Sequence, residues 1–419
     1  MVHVIIHRMF SLPVSLPVRG ADGLAKRAVY GGVERQRLSS QSAKAHLRNA
    51  TGLNSSMADL AKELGTEMSV RSALIGPRKI AAELKRREFT EDQANLWADR
   101  VMALFQTGKE KAPAKAVKKS KKAKAEDDEA DAEATEEDAN ETASASAAGR
   151  QILTLGEKEI AALVDVASAL IKAKVPPSEM RDLVEKTTKH KNHPKPVQDA
   201  LAALQAMRSH AGLDGALFGR MATGIALSRV DSAVHVGHAL TTHPIQSSVD
   251  FFSAQDQLLD RDAGETGGAH IGSRELTTGV FYLPVVIDVE QVRRNFAGWT
   301  NKEIAKVVGW LVKTVAMFTP AAMLGSTAPF PDPGEVVVEI TSGQPVNAMG
   351  AFEKPVAPTL EASVTAFDHH MQRVWLMIGH PSKAMRLSEY IDAKATQPAV
   401  QRLAEAVANT VESTPHASK

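Results

Sequence analysis

The chain contains no cysteine in 419 residues, which excludes a disulfide framework, a thiol nucleophile and cysteine-ligated zinc, and which suits a reducing compartment. It also lacks an apolar run near the ~20 residues that cross a bilayer. The N-terminus Met1-Val2-His3-Val4-Ile5-Ile6-His7-Arg8 is too short and too interrupted for a signal-peptide core, so a cytoplasmic location without membrane contact is expected. A formal net charge of +1 gives no global basic footprint, so any binding of nucleic acid has to be local. Walker loop, serine elbow and dinucleotide fingerprint are all missing, and with them the commonest nucleotide-dependent and hydrolytic chemistries.

What is present is enough for a large core: 43% of the residues are hydrophobic, and the length predicts two or three structural units. Val2 to Met9 alternates, as a half-buried strand that opens a central sheet would. Ser11 to Asp22, with Pro13, Pro17 and Gly20, reads as an extended loop made basic by Arg19, Lys26 and Arg27. From Ser56 to Phe105 the apolar spacing is helical, divided at Gly76-Pro77, and helical spacing resumes at Glu157 until Pro176-Pro177 ends it. Between them, residues 109–148 run from lysines 115–124 into the acids of Glu126 to Glu141, a composition that cannot build a core and reads as a disordered surface insertion. Strand patterns return at Val230–Thr242, Gly279–Asp288 and Glu335–Ile340, with Pro284 suggesting an edge or bulge. Thr300 and Glu303 form a capping box ahead of a helix with one apolar face, Val364 to Ile378 repeats that pattern, and the last forty residues read only as helical. Helices over one face of an antiparallel sheet predict an α+β fold, the architecture of ferredoxin-like and RNA-recognition modules.

The densest stretch is Tyr30 to Arg48. Gly31-Gly32 permits a positive-φ turn, Arg35 and Arg37 leave the following strand on one face, Ser39 or Ser40 caps a helix, and Lys44 and Arg48 share one side of that helix. A helix start with free N–H groups beside several cations suits a phosphate-bearing polymer. Histidines 235, 238 and 243, the pair His190 and His193, and the pair His369 and His370 invite a metal, but His238 and His243 flank a strand-like stretch that points them apart, so no metal site and no cofactor are expected.

The run from Tyr30 resembles the N-terminal signature of the CasC-type backbone subunit of type I-E CRISPR Cascade complexes, a family whose copies polymerise along a guide RNA. Further motifs follow in the family's order: Ala216–Thr223, His238–His243, Asp250–Ala254, His270–Leu276 and Ala348–Lys354. The resemblance implies a ferredoxin-like, RNA-recognition-like palm in three parts (residues 1–50, 209–241 and 276–360), a helical fingers insertion over 51–208, a β-hairpin thumb over 242–275 and a C-terminal helical segment over 361–419. It implies RNA contacts from Arg19, Lys26, Arg35, Arg37, Ser39, Ser40, Gln41, Lys44, Arg48 and Arg220, a base-displacing wedge at Met221, and thumb contacts from Phe252 and Ser253. The partners it implies are guide RNA, further copies of the chain, other Cascade subunits and target DNA. Relatives in type III complexes cut target RNA with a loop aspartate, which Asp22 would match; no second acid accompanies it, so a non-catalytic protein is expected. The alternatives are a metal-dependent ribonuclease subunit using Asp22 and a monomeric, generic RNA-binding module.

Overall fold

The computed structural model describes residues 2–52, 55–105, 152–186, 191–206, 211–220, 229–255, 268–320 and 324–414. The chain divides into two compact units: Met1–Leu60 with Ala233–Arg293 and Gly298–Lys419, and Ala61–Ser232 with Arg294–Ala297. The mixture of helices and antiparallel strands is the expected α+β class.

The strands of the first unit that matter here are β1 (His3–Ser15), β2 (Arg27–Tyr30), β3 (Val33–Leu38), β4 (Val234–Val236), β5 (Ala239–Thr241), β6 (Gln246–Gln255), β7 (Gly268–Asp288), β8 (Glu335–Thr341) and β9 (Lys383–Arg386). They form one sheet in the order β9-β8-β1-β7-β5-β3-β2, with β4 and β6 also paired to β7. Its longer helices are α1 (Ser40–Asn49), α2 (Asn301–Ala316), α3 (Leu360–Ile378) and α4 (Ala399–Ser413).

Alternation predicted a half-buried β1, yet every residue from Val4 to Phe10 is buried. The reason is that each face of the strand meets its own core. On the even-numbered face Phe10 stacks on Phe281 at 5.7 Å and meets Phe318 edge-on at 6.4 Å, just beyond the end of α2. On the odd-numbered face Met9 joins Tyr282, Phe352, Phe367 and Met371 beneath α3. β1 is also longer than expected, running through Pro13 to Ser15. The proline is accepted because the register with β7 shifts between Leu12 and Ser15, where no ladder hydrogen bond is asked of it.

Pro284 is likewise not on an edge: β7 pairs with β1 on one side and with β4 and β5 on the other. The second ladder is interrupted opposite it, where Gly237 donates its N–H to the Pro284 carbonyl at 2.9 Å and a Cβ on Gly237 would lie 2.6 Å from the proline ring. One expected strand over 230–242 is therefore two short ones. The capping box of α2 forms as read, Thr300 N–H donating to Glu303 at 2.7 Å and Glu303 N–H to the Thr300 hydroxyl at 3.3 Å. The last forty residues are not only helical, because Lys383–Arg386 adds β9 to the sheet margin before α4 packs on α2.

In the second unit, the helices Glu91–Ala103, Glu157–Lys172 and Lys195–Ala206 enclose Trp97, Val101, Leu163, Val166 and Leu201. A two-strand ladder, Ser69–Ser72 against Leu153–Gly156, was not legible as alternation in such short segments. The charged tract expected over 109–148 lies outside the described residues. Among the described residues no helix is long and apolar enough to cross a membrane.

Candidate nucleic-acid interface

β2 and β3 pair with Tyr30 opposite Val33, so Gly31-Gly32 is a two-residue hairpin loop, and its φ values of 62° and 79° are the left-handed ones such a loop requires. Gly31 serves a second end, since a Cβ there would fall 1.7 Å from the Glu353 carbonyl oxygen. The turn is thus seated against the motif around Ala348–Lys354.

β3 then presents Arg35 and Arg37 on one face, but they end in different environments. Arg35 is completely buried, and its guanidinium donates to the carbonyls of Thr241 at 3.0 Å, Phe352 at 2.8 Å and Tyr30 at 3.3 Å. Burial lowers its pKa from the ordinary arginine value. Arg35 is therefore corrected from phosphate contact to scaffold: its donors hold three segments together, and with no exposed surface its guanidinium does not reach a ligand outside. Arg37, one pleat nearer the helix, is half-buried.

Ser39 caps α1, accepting the Ser42 N–H at 3.3 Å. Ser40 donates its N–H to His238 Nδ1 at 3.2 Å, and its hydroxyl lies 3.3 Å from exposed Gln41. Burial, and next the Arg37 charge, lower the pKa of His238, so the ring stays neutral and able to accept that N–H. Lys44 and Arg48 follow one and two turns along, both half-buried, and burial lowers the Lys44 pKa. Arg19 is exposed in the preceding loop and bridges to Ala25, while the Lys26 carbonyl accepts the Arg37 N–H at 2.8 Å. The Lys26–Arg37 bond and the Ser40–His238 bond thus tie the loop of Arg19 and Lys26, the end of β3 with Arg37 and the start of α1 with Ser39, Ser40 and Gln41 to their neighbours, while Lys44 and Arg48 run from there to the last turn of α1.

Asp22 sits at the exposed tip of the same loop, with its carboxylate accepting the Leu24 N–H at 3.0 Å. Among the described residues no three histidines or acids are grouped as a metal would need.

The remaining candidates lie elsewhere. Phe252 on β6 lays its ring over Gly272 of β7, where an added Cβ would meet it at 2.6 Å, and the Arg274 guanidinium stands 5.3 Å from the ring centre. Arg274 is itself paired with Asp250 at 3.1 Å, so the ribbon is braced on that face while Ser253 is exposed. Arg220 belongs to the second unit and is buried there, bound by both Glu159 oxygens at 2.7 and 2.9 Å and donating to the Thr154 carbonyl at 3.1 Å. It is corrected from RNA contact to structural ion pair, because a guanidinium already desolvated against a carboxylate has no exposed donor face. Met221, the expected wedge, lies outside the described residues.

Residues 4–413 match the family described as CT1975-like protein. The chain belongs to that family. Its fold is shared with a chain of a structure titled CRISPR RNA-guided surveillance complex, pre-nicking, at 22% identity and a TM-score of 0.65 over 98% of this chain and 100% of the other. A second, from a structure titled CRISPR RNA-guided surveillance complex, is 20% identical with a TM-score of 0.56, covering 97% and 99% of the two chains. No curated protein sequence matches. Family and fold together bear out the resemblance to a Cascade backbone-type subunit. In this CT1975-like protein the sequence reading missed His238, weighed only as a metal ligand, and Glu275, which stands in the quoted motif His270–Leu276. The signal for both was the motif itself; their contacts, made over long sequence separations, were not visible in it.

Proposed function

We propose that this CT1975-like protein is a non-catalytic backbone subunit of a type I-E CRISPR effector complex, whose copies line a guide RNA through sequence-independent phosphate contacts. They hold the RNA in kinked segments for pairing with target DNA, so that base pairing supplies specificity. In this reading the first unit is the ferredoxin-like palm, the β6–β7 ribbon is the root of the thumb, and the helical second unit is the fingers. The observation that supports the reading is the sequence of partly exposed cations around α1: Arg37 just before the Ser39 cap, hydrogen-bonded to the loop of Arg19 and Lys26, and Lys44 and Arg48 four residues apart along the helix. The helix dipole and the cations both favour phosphate whatever base it carries. Met221 and Phe252 frame the displaced base at each kink.

The test is the RNA that copurifies with the expressed complex. A small RNA of uniform length with evenly spaced protected intervals is the expected result. Heterogeneous RNA on a monomer, or target-RNA cleavage abolished by Asp22→Ala, would replace the reading with a generic binder or a ribonuclease respectively.

A further inference from the structure

An acid is buried inside the basic surface, and its placement gives it a task. Glu275, on β7, has only 6% of its surface exposed and meets the chain at Ala25 and Arg27, next to the candidate Lys26. Its Oε2 accepts the Ala25 N–H at 2.7 Å and its Oε1 accepts from Arg27, which also donates to Glu34 at 3.1 Å. Burial alone would raise the carboxyl pKa; the Ala25 N–H, the Ser247 hydroxyl and Arg27 outweigh it and keep Glu275 below the ordinary carboxylate range. Two residues along, on the same face of β7, the Thr277 hydroxyl donates to the Ser15 carbonyl at 2.9 Å and accepts from Gln36 at 2.6 Å. The loop between β1 and β2 is therefore tied to β7 at both ends, by Thr277 where it leaves β1 and by Glu275 where it enters β2. Within it lie Arg19 and Lys26, and the Lys26 carbonyl passes the tie to Arg37.

We propose that Glu275 is a positioning residue of the anion-binding surface, clamping the Leu16–Lys26 loop to β7 so that the loop cations and the β6–β7 ribbon meet a nucleic-acid backbone in one fixed register. This rests on the RNA-binding reading above. Ordering the loop before binding removes an entropy cost that each captured phosphate would otherwise carry. The clamp uses a negative charge where a bystander acid would only repel the ligand.

That conflict of signs supplies the experiment. The full chain, as parent, Glu275→Gln and Glu275→Asp, is titrated with a single-stranded oligouridylate and, separately, digested with trypsin without RNA. Removing an acid from a phosphate-binding face tightens binding if charge alone matters. The clamp predicts the opposite: Glu275→Gln weakens binding roughly threefold or more through lost pre-organisation, and trypsin cuts faster after Arg19, Lys26 and Arg27. Should the glutamine variant not fold, by its thermal transition, Glu275→Asp keeps the charge, shortens the reach, and is expected to weaken binding and speed cleavage likewise. Unchanged or tighter binding, or unchanged cleavage, in the folded variants overturns the proposal. If the parent itself fails to bind the RNA, the RNA reading falls, while the cleavage rates still decide whether Glu275 clamps the loop.

Discussion

The two units bury arginine in opposite ways. In the first, Arg8 and Arg35 are completely buried and donate to backbone carbonyls, Arg8 to those of Pro333, Val315, Phe318 and Asp332 and Arg35 to those of Tyr30, Thr241 and Phe352. In the second, Arg220 meets the carboxylate of Glu159 in a two-pronged pair. A carbonyl-bound guanidinium satisfies several chain segments at once, each of which would otherwise bury an acceptor without a donor. A carboxylate-bound one satisfies mainly its partner. The first kind stitches a sheet to its connections; the second neutralises a buried acid and reaches a single backbone carbonyl, that of Thr154.

The sharpest way to break this comparison is to remove one arginine of each kind. Arg35→Ala leaves three buried carbonyls unanswered in addition to a cavity, and about 5 kcal/mol of stability is expected to go, read from urea unfolding. Arg35→Lys should recover little, since one ammonium cannot span three directions. Glu159→Ala strands the Arg220 charge and should cost about 4 kcal/mol, whereas Glu159→Met with Arg220→Met should fall within about 1 kcal/mol of the parent. A double variant as unstable as the sum of the singles would show that Arg220, like Arg35, is held chiefly by its surroundings.

The same contrast explains what the sequence could and could not disclose. Helix caps, hairpin glycines and apolar faces are local, so Thr300 with Glu303, Gly31 with Gly32 and the start of α1 at Ser39 were readable within a few residues. Arg35 and Arg37 look alike in the strand pattern, both alternating outward. Only the arrival of Thr241 and Phe352, over 200 residues distant, makes one of them scaffold. The burial of both β1 faces was hidden for the same reason, because alternation reports one apolar face and says nothing of what covers the other. Arg220 looked like an RNA contact by its motif, and Glu159 gave no sign across the intervening chain.

A third buried polar pair, again in the first unit, sharpens the comparison through pH. His7 and Glu339 face each other across β1 and β8, with Nε2 and Oε1 3.9 Å apart, and burial lowers the His7 pKa to about 3 while raising that of Glu339 to about 7. For Glu339 the folded state binds the proton more tightly, so its contribution is complete below about 4.5 and is lost as pH rises through about 7. For His7 the folded state binds it less tightly, so stability is lost as pH falls from about 6.5 toward about 3. Between about 4.5 and 6.5 the two slopes oppose and this pair contributes a plateau. Stability should therefore decline on either side of that plateau, by about 0.7 kcal/mol as pH rises from 6.5 through about 7 and by about 2 kcal/mol as it falls from 4.5 toward 3. Glu339→Gln should abolish the decline near neutrality, turn the plateau into a rise up to about pH 6.5 and leave the limb below about 4.5 unchanged; an unaltered neutral limb would put the titration elsewhere.

The smallest effect on stability is expected where cations face solvent. Lys44 and Arg48 lie four residues apart on α1, downstream of the Ser39 cap, and both retain partial exposure. Alanine is the better helix former, so removing the two should change unfolding by no more than ~0.5 kcal/mol. The ligand should register what the fold does not. Each phosphate contact on a single strand releases a fraction of a counterion, about 0.7 per contact in the slope of log K against log salt, so the double variant should flatten that slope by up to about 1.4. Because phosphates carry no base identity, the loss should be alike for RNAs of unrelated sequence. Arg35→Lys, if it folds, should show the converse, a large change in stability with the salt slope preserved. A double variant that binds with the parent's slope would move Lys44 and Arg48 to the scaffold side of the comparison, and the anion surface would then reduce to the α1 start, Arg37 and the loop that Glu275 holds.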